Sequence, residues 1–68
     1  MITRADCRLE TQPNGKRWKY LMHIPGERPY PSSLHWTTEA RAREVGETRL
    51  TMAIEEINRE LRRKAARS

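Results

Sequence analysis

Basic residues at alternate positions are the arrangement in this sequence that points most directly to a chemistry. In the run Arg17 to Ile24, Trp18, Tyr20, Met22 and Ile24 alternate with Arg17, Lys19, Leu21 and His23. On an extended strand this puts the cations on one face and the large apolar side chains on the other. Arg8 takes the same outward parity on a preceding stretch, and Lys16 and Arg28 stand in the flanking turns. A row of cations on an uncovered pleated face suits phosphate oxygens, and a two-stranded ribbon fits the major groove of B-form DNA. The competing reading is a solvated face that only keeps the chain soluble. A second basic group, Arg62-Arg63-Lys64 with Arg67, suits backbone phosphates and equally the negative end of a helix.

Catalytic chemistry has less material. His23 and His35 share the outward parity and are candidates to be neighbours on the sheet surface, with Glu10 as the carboxylate nearest to them in pattern. An acid–base pair needs two groups with separated pKa values, and a nucleophile needs a base in reach. No such convergence is legible. Cys7 falls on the inward side of its strand and reads as a small core residue. The sequence holds no glycine-rich phosphate loop, no His-x-x-x-His pair and no Gly-x-Ser-x-Gly turn, so the expectation is a non-enzyme with no cofactor and no metal.

The elements that position these residues follow from periodicity. Asn14-Gly15 within Pro13–Lys16 predicts a tight hairpin turn, joining a strand Cys7–Thr11, with Cys7, Leu9 and Thr11 inward, to the strand Arg17–Ile24. After the turn Pro25–Pro29, a third strand over Tyr30–Trp36 is expected, with Tyr30, Leu34 and Trp36 inward and Pro29 and Pro31 confining its start to a sheet edge. Trp18, Tyr20, Tyr30 and Trp36 then supply the core of a chain without Phe. From Thr37 or Thr38 as N-cap, with Glu39 in the first turn, the period becomes helical to about Ala66. Leu50, Ile54, Ile57 and Leu61 form one apolar stripe, and Glu39/Arg43, Glu55/Arg59 and Glu60/Lys64 are spaced for i, i+4 ion pairs.

The expected fold is therefore α+β, a three-stranded antiparallel β-meander (residues 7–36) packed on one long C-terminal α-helix (38–66), with a basic tail at 62–68. Val45 and Met52 lie on the far side of the helix from Leu50, which leaves two readings. Gly46 bends the helix and folds Val45 back, or the helix runs straight for about 43 Å and overhangs strands of about 27 Å. The straight form implies a homodimer through Val45 and Met52 or through the overhanging Ile57 and Leu61.

Composition sets the scale. The chain has 68 residues, 14 Lys and Arg against 9 Asp and Glu, a net charge of +5 and 35% hydrophobic residues. That describes one small basic domain with a single core and no room for a deep dry pocket. A single cysteine removes any internal disulfide framework and suits a reducing, cytoplasmic setting. No signal-peptide or membrane-spanning apolar run is present, so no membrane partner is expected.

Asn14-Gly15-Lys16-Arg17-Trp18-Lys19-Tyr20, a further strand after Pro25-Gly26, and Trp36-Thr37-Thr38-Glu39-Ala40 opening a helix resemble the arm-type DNA-binding domains at the N-terminus of tyrosine recombinases. The resemblance covers residues 7–61 and implies that the outward sheet face enters the major groove through Arg17, Lys19 and His23. The proline-rich third strand and the long helix depart from that pattern. In size and architecture the chain is also similar to small phage-encoded anti-defence proteins such as anti-CRISPR proteins, which implies a larger protein complex as partner. Duplex DNA, contacted by Arg8, Lys16, Arg17, Lys19, His23, Arg28, Arg62, Arg63 and Lys64, is the leading expectation. Single-stranded DNA is the weaker one, because the aromatic residues share the covered side.

Overall fold

Asn14 and Arg17 pair across a two-residue hairpin loop, and Gly15 takes φ 66°. The positive φ thus falls on the first loop residue, as in a II′ turn, and not on Asn14, since no described residue other than glycine has positive φ. The computed structural model describes residues 1–67, and in it strand β1 (Arg8–Asn14) pairs antiparallel with β2 (Arg17–His23) from Arg8↔His23 to Asn14↔Arg17. β1 therefore continues past the predicted end at Thr11. Pro13 is tolerated there because β1 is an edge of the sheet, whose order is β1-β2-β3.

The third strand is shorter than expected. β3 spans only Tyr30–Pro31, opposite Met22 and Leu21. Ser32 N then donates to Tyr20 O at 2.9 Å. Tyr20 N donates to the Ser32 hydroxyl at 3.2 Å, and that hydroxyl donates to Leu34 O at 2.8 Å. A side chain has replaced the backbone as the ladder partner. Pairing resumes between Trp36 and Trp18, whose amides and carbonyls exchange hydrogen bonds of 2.7 and 2.8 Å. Three residues, Ser33, Leu34 and His35, thus stand opposite one, Lys19. The excess bulges out, and Leu34 is 64% exposed instead of inward.

Helix α1 (Glu39–Arg67) starts where Thr38 Oγ1 accepts from Arg41 N at 3.2 Å, which fixes the N-cap at the second of the two threonines. It runs as one unbroken helix through Gly46, so no first helix ends at Val45. A Cβ on Gly46 would sit 3.0 Å from both Leu9 methyls and 3.2 Å from Tyr20 Cγ, which makes this glycine a point of close approach between helix and sheet. With Ala42 one turn earlier, also fully buried, the small residues bring α1 down onto the sheet. Val45 is thereby drawn half-buried against the core instead of lying free on the far side. The core is Leu9, Tyr20, Ile24 and Leu50, with Trp36 stacked on Tyr20 at 5.5 Å between centroids. The other two aromatics depart from the expectation: Trp18 lies outside this cluster, and Tyr30 is 46% exposed with its hydroxyl donating to Glu27. Ile57 packs on the core, whereas Leu61, 41% exposed, lies outside it. Of the helix ion pairs, Glu39–Arg43 forms at 3.6 Å, while Glu56–Arg59 and Glu60–Arg63 replace the predicted i, i+4 partners at i, i+3. The predicted tail is helical through Arg67, and Ser68 lies outside the described residues.

The first six residues, for which the periodicity made no prediction, form a strap. A 3-10 turn at Arg4–Asp6 is capped by Asp6, which accepts from Thr3 N at 2.8 Å. Ile2 packs on the core, and the Asn58 side chain bonds both its amide (2.9 Å) and its carbonyl (2.8 Å). Arg4 clamps Glu47 through two hydrogen bonds of 2.7 and 3.0 Å. The Arg4 guanidinium holds the Glu47 carboxyl below its ordinary value of 4.5. A carboxyl depressed in the folded state contributes its full stabilisation above its unfolded pKa and loses it as pH falls through the folded one. Glu47→Gln should therefore cost about 0.5 kcal/mol in denaturant melts near neutral pH. The difference from wild type should close in acid. A gap that persists unchanged into strong acid would remove the ion pair as its source.

Candidate nucleic-acid interface

The face of the sheet opposite α1 is built by the outward residues of two strands. Across it Arg8 stands beside His23, Glu10 beside Leu21, Gln12 beside Lys19 and Asn14 beside Arg17. The two ends differ in charge.

At the Arg8 end one carboxylate serves two bases. His23 Nε2 donates to Glu10 Oε1 at 2.6 Å. Arg8 Nη2 lies 3.4 Å from the same ring nitrogen and 3.9 Å from the carboxylate. The hydrogen bond from His23, aided by the charges of His23 and Arg8, pulls the Glu10 carboxyl below its ordinary range. A phosphate approaching here meets a carboxylate already in place. Arg28 stands in the turn beyond this end, exposed.

At the hairpin end no carboxylate intervenes. Lys16, Arg17 and Lys19 have no hydrogen bond or ion pair among the described residues. Gln12 and Asn14 place neutral amides beside them. The Asn14 amide nitrogen lies 2.7 Å from His35 Nε2. His35 therefore belongs to the hairpin end and His23 to the other, so the two are not neighbours. Sequence reasoning missed Gln12 and Asn14 because it ended the strand at Thr11; extending the parity by three residues finds both.

The helix-end cations form a separate group. Arg63 is paired with Glu60 at 2.7 Å, while Arg62 and Lys64 are exposed without a partner among the described residues. α1 begins near the hairpin end, where Arg43 Nη2 donates to Thr11 Oγ1 at 3.2 Å, and runs past the opposite end of the sheet. In a molecule 49 Å long, Arg62–Lys64 and Lys16–Lys19 occupy opposite ends. The nine cations predicted from sequence thus divide into a free hairpin group, an Arg8–His23 group bound to Glu10 with Arg28 nearby, and a distant helix group.

Burial pushes the Cys7 thiol up, opposite to what a nucleophile needs, and its Sγ lies 3.5 Å from Thr3 O. Among the described residues no three His, Cys, Asp or Glu side chains gather into a metal-binding group, and no helix is long and apolar enough to cross a membrane. No protein-family model, curated protein or solved structure matches the chain.

Proposed function

We propose that the chain is a small non-enzymatic DNA-binding module that lays the hairpin end of its open sheet face on duplex DNA. The observation that carries this reading is the distribution of unpaired charge. Every described carboxylate except Glu55 has a hydrogen-bond or ion-pair partner, while Lys16, Arg17 and Lys19 stand together with none. Cations with nothing to give up gain the full benefit of a phosphate contact. The major-groove mode is the one implied by the resemblance to arm-type domains of tyrosine recombinases. His23, held by Glu10, shifts the weight of that mode toward Lys16, Arg17 and Lys19. Duplex is favoured over single strand because Tyr20 and Trp36 stack together under the helix, leaving no Trp or Tyr on the open face to receive an unpaired base.

Fluorescence titration against a short duplex over a salt series tests this. Three phosphate contacts give a slope of log K against log salt of about −3. Binding that is absent at low salt, or that is indifferent to salt, overturns the proposal; a stoichiometric protein partner with negligible DNA affinity would favour the inhibitor of a larger protein complex instead.

A further inference from the structure

The two flanks of α1, on either side of the stripe that meets the sheet, are finished differently. On the β1 side the N-terminal strap closes the flank through Ile2, bound by Asn58, and Arg4, bound by Glu47. On the β3 side only Val45 is half-buried, against the core, while Arg49, Met52 and Glu56 are exposed. There Val45, Arg49, Met52 and Glu56 follow one another at spacings of four, three and four, which is one helical stripe turned about 100° from the sheet-facing one. Val45 and Arg49 border one groove of about 420 Å³ with Trp36 and the bulged Leu34. Met52 is 54% exposed.

We infer that this flank binds a second copy of the chain, with the two α1 helices antiparallel. The charges on the flank choose that occupant. Arg49 has no partner among the described residues, although it sits between apolar neighbours. Glu56, paired within the helix to Arg59 at 2.9 Å but 62% exposed, lies two helical turns further on along the same stripe and borders an apolar groove with Met22, Ile24, Tyr30, Ala53 and Ile57. In an isologous interface each contact occurs twice. Setting the two-fold between Met52 and Ala53 brings each Arg49 level with the partner's Glu56, on the same side of the seam, and puts the two Met52 side chains against each other. A cation and an anion equally far on either side of an apolar centre are self-complementary only in the antiparallel sense. In a parallel pair Arg49 faces Arg49.

The same two-fold leaves both sheets on one side of the helix pair, with both open faces turned the same way. Arg43, which reaches Thr11, lies about 14 Å along α1 from the centre, so the two copies of this point are about 28 Å apart, with the hairpin tips beyond. That approaches the separation of about 34 Å between successive major-groove half-sites. The dimer itself does not depend on the DNA reading.

Sedimentation equilibrium of the full chain without DNA, from tens to hundreds of micromolar, reads the inference directly. Wild type should approach the mass of two chains, and Met52→Glu should stay at one. Arg49→Glu and Glu56→Arg should each raise the dissociation constant about tenfold or more. The two together should recover most of the loss, because the swap restores the pair in both copies. Circular dichroism melts on each variant separate weakened association from unfolding. A wild-type mass of one chain throughout overturns the dimer. A dimer indifferent to Met52→Glu, or a double variant no tighter than either single one, overturns this interface.

Discussion

Leu50→Ala should lower the melting temperature of the chain by about 12 °C or more. Leu50 is the largest side chain with no exposure at all, and it joins Leu9, Tyr20 and Ile24 in a core with few other members. Truncating a fully enclosed leucine costs about 3–4 kcal/mol, part in lost transfer free energy and part in the cavity left behind. A domain of this length has about 3–10 kcal/mol in total. Leu50→Met, which keeps the volume, should lose less than about 1.5 kcal/mol. Thermal melts followed by circular dichroism compare the two. Equal melting temperatures for Leu50→Ala and wild type would mean that α1 does not seat on the sheet through this residue.

Gly46 carries the second large effect, and its sign separates a contact from a hinge. In a helix interior Gly→Ala ordinarily stabilises by about 1 kcal/mol. Here the added carbon meets two Leu9 methyls at 3.0 Å and the Tyr20 ring at 3.2 Å, so overpacking of about 2 kcal/mol should outweigh that gain. Gly46→Ala should be destabilised by about 1 kcal/mol and Gly46→Val by about 3, since a β-branched side chain drives further into the same contact. A rise in melting temperature for Gly46→Ala would show that the sheet yields, and that the close approach does not set the distance between the layers.

The period-two alternation from Arg17 to Ile24 and the stripe from Leu50 to Ile57 were enough to place β2, α1 and the face between them, because burial of one side leaves its imprint at fixed spacing. Three features left no such imprint. The bulge at Ser33–Leu34 arises from a single hydroxyl taking a backbone role in the ladder, which a hydrophobic pattern does not record. Gly46 reads as a bend or as a contact depending on what lies opposite, and the opposing Leu9 and Tyr20 are remote in sequence. The strap is held by Asn58 and Glu47, polar helix residues that look like part of the solvated back until their partners are known. At the candidate interface, strand parity supplied Arg17 and Lys19. The contact of Glu10 with both Arg8 and His23 was not foreseen, because it depends on register across two strands, and register depends on the loop being Gly15-Lys16. Arg62–Lys64 were grouped with the sheet cations by charge alone, and the single long helix sets them apart.

The most direct test of the DNA-binding account is a two-dimensional amide NMR titration of the wild-type chain with a short duplex, at about 50 mM salt where phosphate contacts are strong. The account predicts shifts that grow with added duplex, centre on Gln12, Asn14, Lys16, Arg17, Lys19 and His35, and reverse when salt is raised. Amides around Arg62–Lys64 should move far less. Shifts confined to the helix end, shifts spread along α1 with the hairpin unmoved, or no shifts at any duplex concentration would contradict it.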